Sequence, residues 1–369
     1  MYILEMFCWA GKFHSEVDGP DAEVSADDLY MERRLCERSS TAPADEGSVF
    51  NLNERCLDLQ GAWQEDKRGL ITFIFLGLMY VWQYLIMLDM VLPGIVGLFN
   101  GINPFGRPVV ASEYFFYPLL GLTWLAVNAL FFKYCWRWLR LEVFVQRRLV
   151  VRFNRITRQV HINRPNYAGG LVTFPWDAVL PEISGSKPGS GAGDGALLLG
   201  WPSHRTGAGF DDICMIGGSL DDRGSAEALW EYIRRYMEEG PDEVTEPKHL
   251  RALFPWPWDS VRSTLSFLLP SWRNGDKGLV LTGALLLSPL LMLHCICHWL
   301  SLLLCWPTYW PRIIRRAGLP GEPVPKLTTA DDYGPEIAGK LRASAVKVVG
   351  EESSQTPPDE KQGMGESRS

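Results

Sequence analysis

What the sequence lacks already narrows it. Its eight cysteines show no C-x-x-C spacing and no dense framework. That argues against a disulfide scaffold or a zinc ribbon, and for reduced thiols in a reducing compartment. The first residues, MYILEMFCWAGKF, carry Glu5 and no basic stretch leading into an apolar core, unlike a signal peptide. A formal net charge of −7 excludes a whole-chain cation built to coat nucleic acid, so no nucleic-acid partner is expected. No internal repeat is present. Between residues 70 and 132 the charged side chains are Asp89, Arg107 and Glu113 alone.

What is there is a strongly uneven distribution. Residues 1–69 hold 15 acids against 7 bases, and residues 133–170 hold nine bases and one acid. An uncharged block followed at once by a basic one is the pattern of membrane insertion with one face held in the cytoplasm. Leu70–Leu88 and Tyr114–Phe132 are each 19 residues without a charge. At about 1.5 Å per residue each matches a hydrocarbon core about 30 Å thick. Lys67 and Arg68 precede the first run, and Lys133, Arg137 and Arg140 follow the second. The spacing therefore predicts a hairpin with its tip outside and the rest of the chain inside. A third run, Leu279–Pro311, lacks carboxylates, Lys and Arg over 33 residues. It reads as one kinked span with Pro289 at the bend, although the charges on its two flanks balance.

The remaining segments divide as follows. Residues 1–62 form an acidic, partly disordered arm with a short helix around Asp27–Glu37. Residues 63–135 hold the hairpin. Residues 136–245 read as a cytoplasmic β-rich domain. Within it Leu141–Phe153 and Arg158–Asn163 are antiparallel strands around the turn Asn154–Thr157, and Leu171–Phe174, Ala178–Ile183, Ala196–Gly200 and Asp211–Gly217 are further strands. Ala226, Leu229, Trp230, Ile233, Tyr236 and Met237 recur at helical spacing, so Ser225–Glu239 is the helix that closes the domain, ended by Gly240-Pro241. Residues 246–278 are amphipathic and interfacial, with Trp256, Trp258 and Trp272 suited to a headgroup layer. Residues 279–311 are the third membrane segment. Residues 312–369 are a polar tail, disordered from about 350. The expected fold is thus an α+β membrane protein: a transmembrane helical hairpin, a small antiparallel β barrel or sandwich closed by one amphipathic helix, and a third apolar membrane segment.

Candidate chemistry is sparse. His294, Cys297 and His298 would share one helix face, a spacing that can gather ligands for Zn²⁺ or Cu, but no matching cluster occurs elsewhere and packing is the simpler reading. Asp211-Asp212 and Asp221-Asp222 are carboxylate pairs of the kind used for acid–base or metal chemistry, and also of the kind that begin helices and turns. The Gly185–Gly195 run lacks the closing Gly-Lys-Ser/Thr of a phosphate loop. No cofactor, catalytic residue or metal site is expected. Arg147, Arg148, Arg152, Arg155, Arg158 and Arg164 form the main candidate surface, for anionic lipid headgroups or a protein partner.

Arg148–Val160 (RLVVRFNRITRQV), followed by Gly169-Gly170 and Phe174-Pro175-Trp176-Asp177, resembles a proteobacterial membrane protein family of unknown function over roughly residues 60–315. The resemblance implies a small β-rich domain behind a membrane hairpin, and a gene neighbourhood of type VI secretion components. Trp176-Asp177 also resembles the strand start of bacterial pleckstrin-homology-like membrane proteins. The expectation is a non-catalytic, multi-pass protein of the bacterial inner membrane with a cytoplasmic interaction domain, as a secretion accessory or an immunity protein against a toxin. The alternative is a membrane-embedded enzyme or metal protein using the His294, Cys297, His298 cluster or the Asp pairs.

Overall fold

The structure is a computed structural model, and it describes residues 2–14, 42–61, 67–189, 193–273 and 275–345. The helix expected at Asp27–Glu37 and the tail beyond 350 lie outside these residues.

Two antiparallel sheets form the body. The larger has the order β1 (Val49–Leu52), β2 (Cys56–Gln60), β3 (Val150–Asn154), β4 (Gln159–Asn163), β5 (Leu171–Pro175); the smaller is β6 (Leu180–Ser184), β7 (Gly195–Trp201), β8 (Asp212–Leu220). The bridge Gly61–Ile216 joins them at one corner. Among the described residues the sheets do not close into a barrel: β1 and β5 are the outer strands of one sheet, β6 and β8 of the other. The β3–β4 turn falls where the sequence places it, because the Asn154 side-chain oxygen accepts the N–H groups of Ile156 and Thr157 at 3.1 Å.

Helix α4 (Arg223–Glu238) packs on the smaller sheet, with Leu229, Ile233 and Tyr236 fully buried. It starts two residues before the expected Ser225 because Asp222 caps it, accepting the Ser225 N–H at 3.1 Å. The core beneath joins Phe153, Val160, Phe174 and Trp176 of the larger sheet to Leu197, Trp201, Trp230 and Ile233.

Both ends of the chain contribute to the body. The acidic arm supplies β1 and β2, and its first residues form α1 (Ile3–His14), whose Trp9 packs on Phe13, Phe210 and Tyr333. The polar tail is woven onto the body as far as 345. Gln159 donates to the Pro325 carbonyl at 2.8 Å, the Thr328 N–H to Thr173 at 2.9 Å, and Leu341 is fully buried. Leu141–Leu149 also departs from expectation. It is buried but is not a strand, because its carbonyls accept side-chain and remote backbone donors in place of a ladder.

Among the described residues, two helices are long and apolar enough to cross a membrane: α2 (Leu70–Asn100) and α3 (Glu113–Leu139). Their apolar side chains face outward; Phe115 is 73% exposed and Leu122 64%. Gln83 on α2 donates to Asn128 on α3 at 2.8 Å, within a π-helical stretch of α2 over Gln83–Val91.

The third run is α6 (Lys277–Leu286) and α7 (Ser288–Leu303), two helices bent by 74° at a short break, the geometry of a broken span or of a re-entrant loop. Its flanks attach to the same sheet. Before it, the Arg251 N–H donates to Val49 at 2.8 Å; after it, Asn163 donates to the Tyr309 carbonyl at 2.9 Å and Asn154 to that of Ala317 at 3.0 Å.

Candidate functional site

The most heavily built polar feature lies where the three apolar elements meet the sheet. Glu142, fully buried just beyond α3, turns its carboxylate onto the start of α2. Its Oε1 accepts the N–H of Gly69 at 2.9 Å and of Ile71 at 3.2 Å, and its Oε2 accepts the Thr72 N–H and hydroxyl at 2.8 Å. A helix start leaves its first N–H groups without intrahelical partners and carries partial positive charge, so a buried carboxylate there satisfies both demands.

Arg68 reaches the other way. Its guanidinium, also fully buried, donates to the carbonyls of Arg147 at 2.5 Å and Glu142 at 2.6 Å, and to the Cys305 sulfur at 2.9 Å. Cys305 in turn donates to the Glu142 carbonyl at 3.1 Å. Arg147 closes the ring by donating to the carbonyls of Leu302 and Cys305 at 3.0 Å and of Leu253 at 3.3 Å. The feet of α2, α3 and α7 are thereby bound into one junction.

Gly69 makes this close approach feasible. Its φ is +93°, and a Cβ there would lie 2.5 Å from the His298 backbone nitrogen on α7. Sequence reasoning missed Glu142, Arg68 and Cys305. The available signal was Glu142 itself, the one acid among nine bases in residues 133–170.

The six arginines offered to lipid headgroups do not form a common outward face. Arg147 belongs to the junction. Arg148 is 6% exposed, 3.6 Å from Asp259 and over the Phe50 ring. Arg152 grips Asp58 through two bonds of 2.7 Å across the β2–β3 pair and lies over Trp310. Arg164, 4% exposed, pairs with buried Asp212 at 2.9 Å. Burial alone would raise the Asp212 carboxyl, but the Arg164 and Lys12 cations outweigh it and hold it below the usual carboxylate range. Arg155 is half-buried against Gly240. Arg158, in the left-handed region at φ +49°, is 40% exposed in its side chain and paired with Asp177 and Glu238.

The residues nominated for chemistry are similarly occupied. His298 shares a hydrogen bond with Ser260 at 2.9 Å and His294 one with Thr264 at 3.1 Å, both on α5 (Pro257–Leu265), while Cys297 is buried. Among the described residues no three His, Cys, Asp or Glu side chains are grouped to hold a metal ion. Asp211 accepts the Ser203 N–H, Asp222 caps α4, and the Asp221 carbonyl accepts the Gly193 N–H.

The fold and junction therefore describe an α+β protein with two apolar helices of membrane-crossing length, rooted in a sheet body. Residues 129–319 match a family of unknown function (DUF6708), and the chain belongs to that family. The matched stretch includes Glu142, Arg147 and Cys305 but begins after Arg68. No curated protein and no solved structure matches the chain.

Proposed function

We propose that this is a non-catalytic protein of the bacterial inner membrane, in which α2 and α3 cross the bilayer, α6 and α7 re-enter it, and the sheets form a cytoplasmic interaction domain. One observation carries the reading: the feet of α2, α3 and α7 are bound together at the sheet body by the buried Arg68–Glu142–Cys305 junction. All soluble parts then lie on one face of the membrane. Lys133, Arg137 and Arg140 at the foot of α3 favour the cytoplasmic face, where loops collect Lys and Arg.

Arg148, Arg152 and Arg164 are committed to internal carboxylates and rings, so we infer that a protein partner suits the domain better than headgroups on these strands. On the resemblance drawn from the sequence, that partner would be a type VI secretion component or a toxin, met by a pleckstrin-homology-like module.

Labelling with an impermeant thiol reagent in intact cells tests the topology. In a cysteine-depleted background, Phe105→Cys at the hairpin tip should label and Lys187→Cys in the β6–β7 loop should not; both positions are exposed. The reverse pattern would place the domain outside the cytoplasm.

A further inference from the structure

Of the three charged residues between 70 and 132, Arg107 lies in the tip of the hairpin, Glu113 opens α3, and Asp89 stands inside α2. Contacts between the two helices set its depth. Gln83 on α2 meets Asn128 on α3 through a 2.8 Å hydrogen bond, and a Cβ on Gly121 of α3 would lie 3.6 Å from the Val91 side chain. Asp89, two residues from Val91, is therefore level with about Thr123, the centre of the uncharged run Tyr114–Phe132. Nine residues of helix, about 14 Å, separate Thr123 from either end of that run. On the membrane reading above, that is the middle of the hydrocarbon.

Asp89 faces away from the hairpin. It is exposed, and Leu85, Leu88 and Leu92 around it on α2 are 51%, 52% and 44% exposed. Among the described residues it has no hydrogen-bond or ion-pair partner. Other polar groups at this depth are satisfied within the hairpin: Gln83 and Asn128 by each other, and the Thr123 hydroxyl by donating to the Leu119 carbonyl at 2.8 Å. The backbone carrying Asp89 is π-helical over Gln83–Val91, a rare widening that recurs at functional positions.

We propose that Asp89 and its flanking leucines are a docking face for the membrane-spanning helix of another protein, one with a lysine or arginine at its midpoint. The inference rests on the membrane reading and names the chemistry of a partner within it. An ionisable group inside a bilayer is costly alone and is found paired. Aspartate is too short to bring its carboxyl group to the headgroups from that depth, so the partner has to come through the lipid. Charge complementarity calls for a base. A second copy of this chain does not supply one, because its apolar runs 70–88, 114–132 and 279–311 carry Lys and Arg only beyond their ends. Hydrophobic packing on Leu85, Leu88 and Leu92 would align the two helices around the pair.

The test uses the full chain, fluorescently labelled and reconstituted into phosphatidylcholine vesicles with synthetic leucine–alanine spanning peptides of about 20 residues. One peptide has lysine at its centre, a second has leucine there, and a third has its lysine at one end. By energy transfer, wild type should bind the central-lysine peptide about tenfold more tightly than either control, the scale of one polar contact between helices in lipid. Asp89→Asn should remove that preference with secondary structure unchanged by circular dichroism, and Asp89→Glu should keep it. Equal binding of the three peptides by wild type, or an undiminished preference in Asp89→Asn, would overturn the proposal. Carbonate washing of wild-type membranes separates the two levels: a chain that stays with the bilayer but does not discriminate overturns the Asp89 face alone, and a chain released by carbonate overturns the membrane reading with it.

Discussion

The hairpin and the bent run are both poor in charge, yet they are built in opposite ways. Helices α2 and α3 continue for 31 and 27 residues with their apolar side chains outward. Helices α6 and α7 have ten and 16 residues, about 15 and 24 Å, each short of a 30 Å core. Much of the second half of α7 faces protein: Cys297, His298, Ser301 and Leu302 are buried, with His298 against Ser260 of α5 and the Leu302 carbonyl against Arg147, while Ile296 and Leu303 stay exposed. Absence of charge thus says that a run can leave water, and not whether hydrocarbon or protein receives it. What separates the two is polar anchoring. The hairpin is tied at its feet, whereas α7 is tied along half its length.

The largest effect should come from Glu142→Ala, which strips the start of α2 of its buried acceptor and loosens the hairpin. We expect a loss of about 3–5 kcal/mol, because several buried donors lose a charged partner together. Thermal unfolding of the purified full chain would show it; a change under about 1 kcal/mol would mean that the junction does not hold the hairpin.

Next is the contact between the two runs. Gly69→Ala puts a methyl group into the α7 backbone at a left-handed position and should cost about 2–4 kcal/mol. Gly77→Ala, two turns along α2 with open space around it, should shift stability by no more than about 1 kcal/mol and toward greater stability. Equal melting temperatures for the two variants would separate α2 from α7.

The third prediction concerns the seal made by the chain returning from α7. His161 on β4 is fully buried beside Trp310, with its Nδ1 against the Thr173 hydroxyl at 2.9 Å. Burial, helped by the Arg152 cation, pushes its pKa down to about 3. The folded chain therefore holds this imidazole neutral, while the unfolded chain takes up a proton near its usual value of about 6.5. Stability from this site is present above pH 6.5 and is lost as the pH falls toward 3, at up to about 1.4 kcal/mol per pH unit. His161→Gln should flatten that slope in denaturation measured across this range. An unchanged slope would mean that Trp310 does not seal the site.

Much of this was legible in the chain. The uncharged runs at 70–88 and 114–132 lie inside α2 and α3, and the apolar positions from Ala226 to Met237 are the buried face of α4. Asn154 announced its turn. Less legible was Leu141–Leu149, whose β-branched and apolar residues suggest a strand, because its hydrogen-bonding partners, Arg68 and Trp306, are remote in sequence. The strand β2 hid in an acidic arm because its central Asp58 looks like a solvated charge until Arg152 is placed opposite it.

The sequence by itself determined which residues leave water, since that preference resides in each side chain and its period along the chain. Hence the two long helices, the buried face of α4 and the membership of a family were readable in one dimension. The tertiary structure decided where each buried charge finds its partner. Glu142 meets the start of α2 from 70 residues away, Arg68 meets Cys305 from 237, and Arg164 meets Asp212 from 48. A buried charge is tolerated only when paired and hydrogen-bonded, and those pairings bring the third run back to the sheet it left.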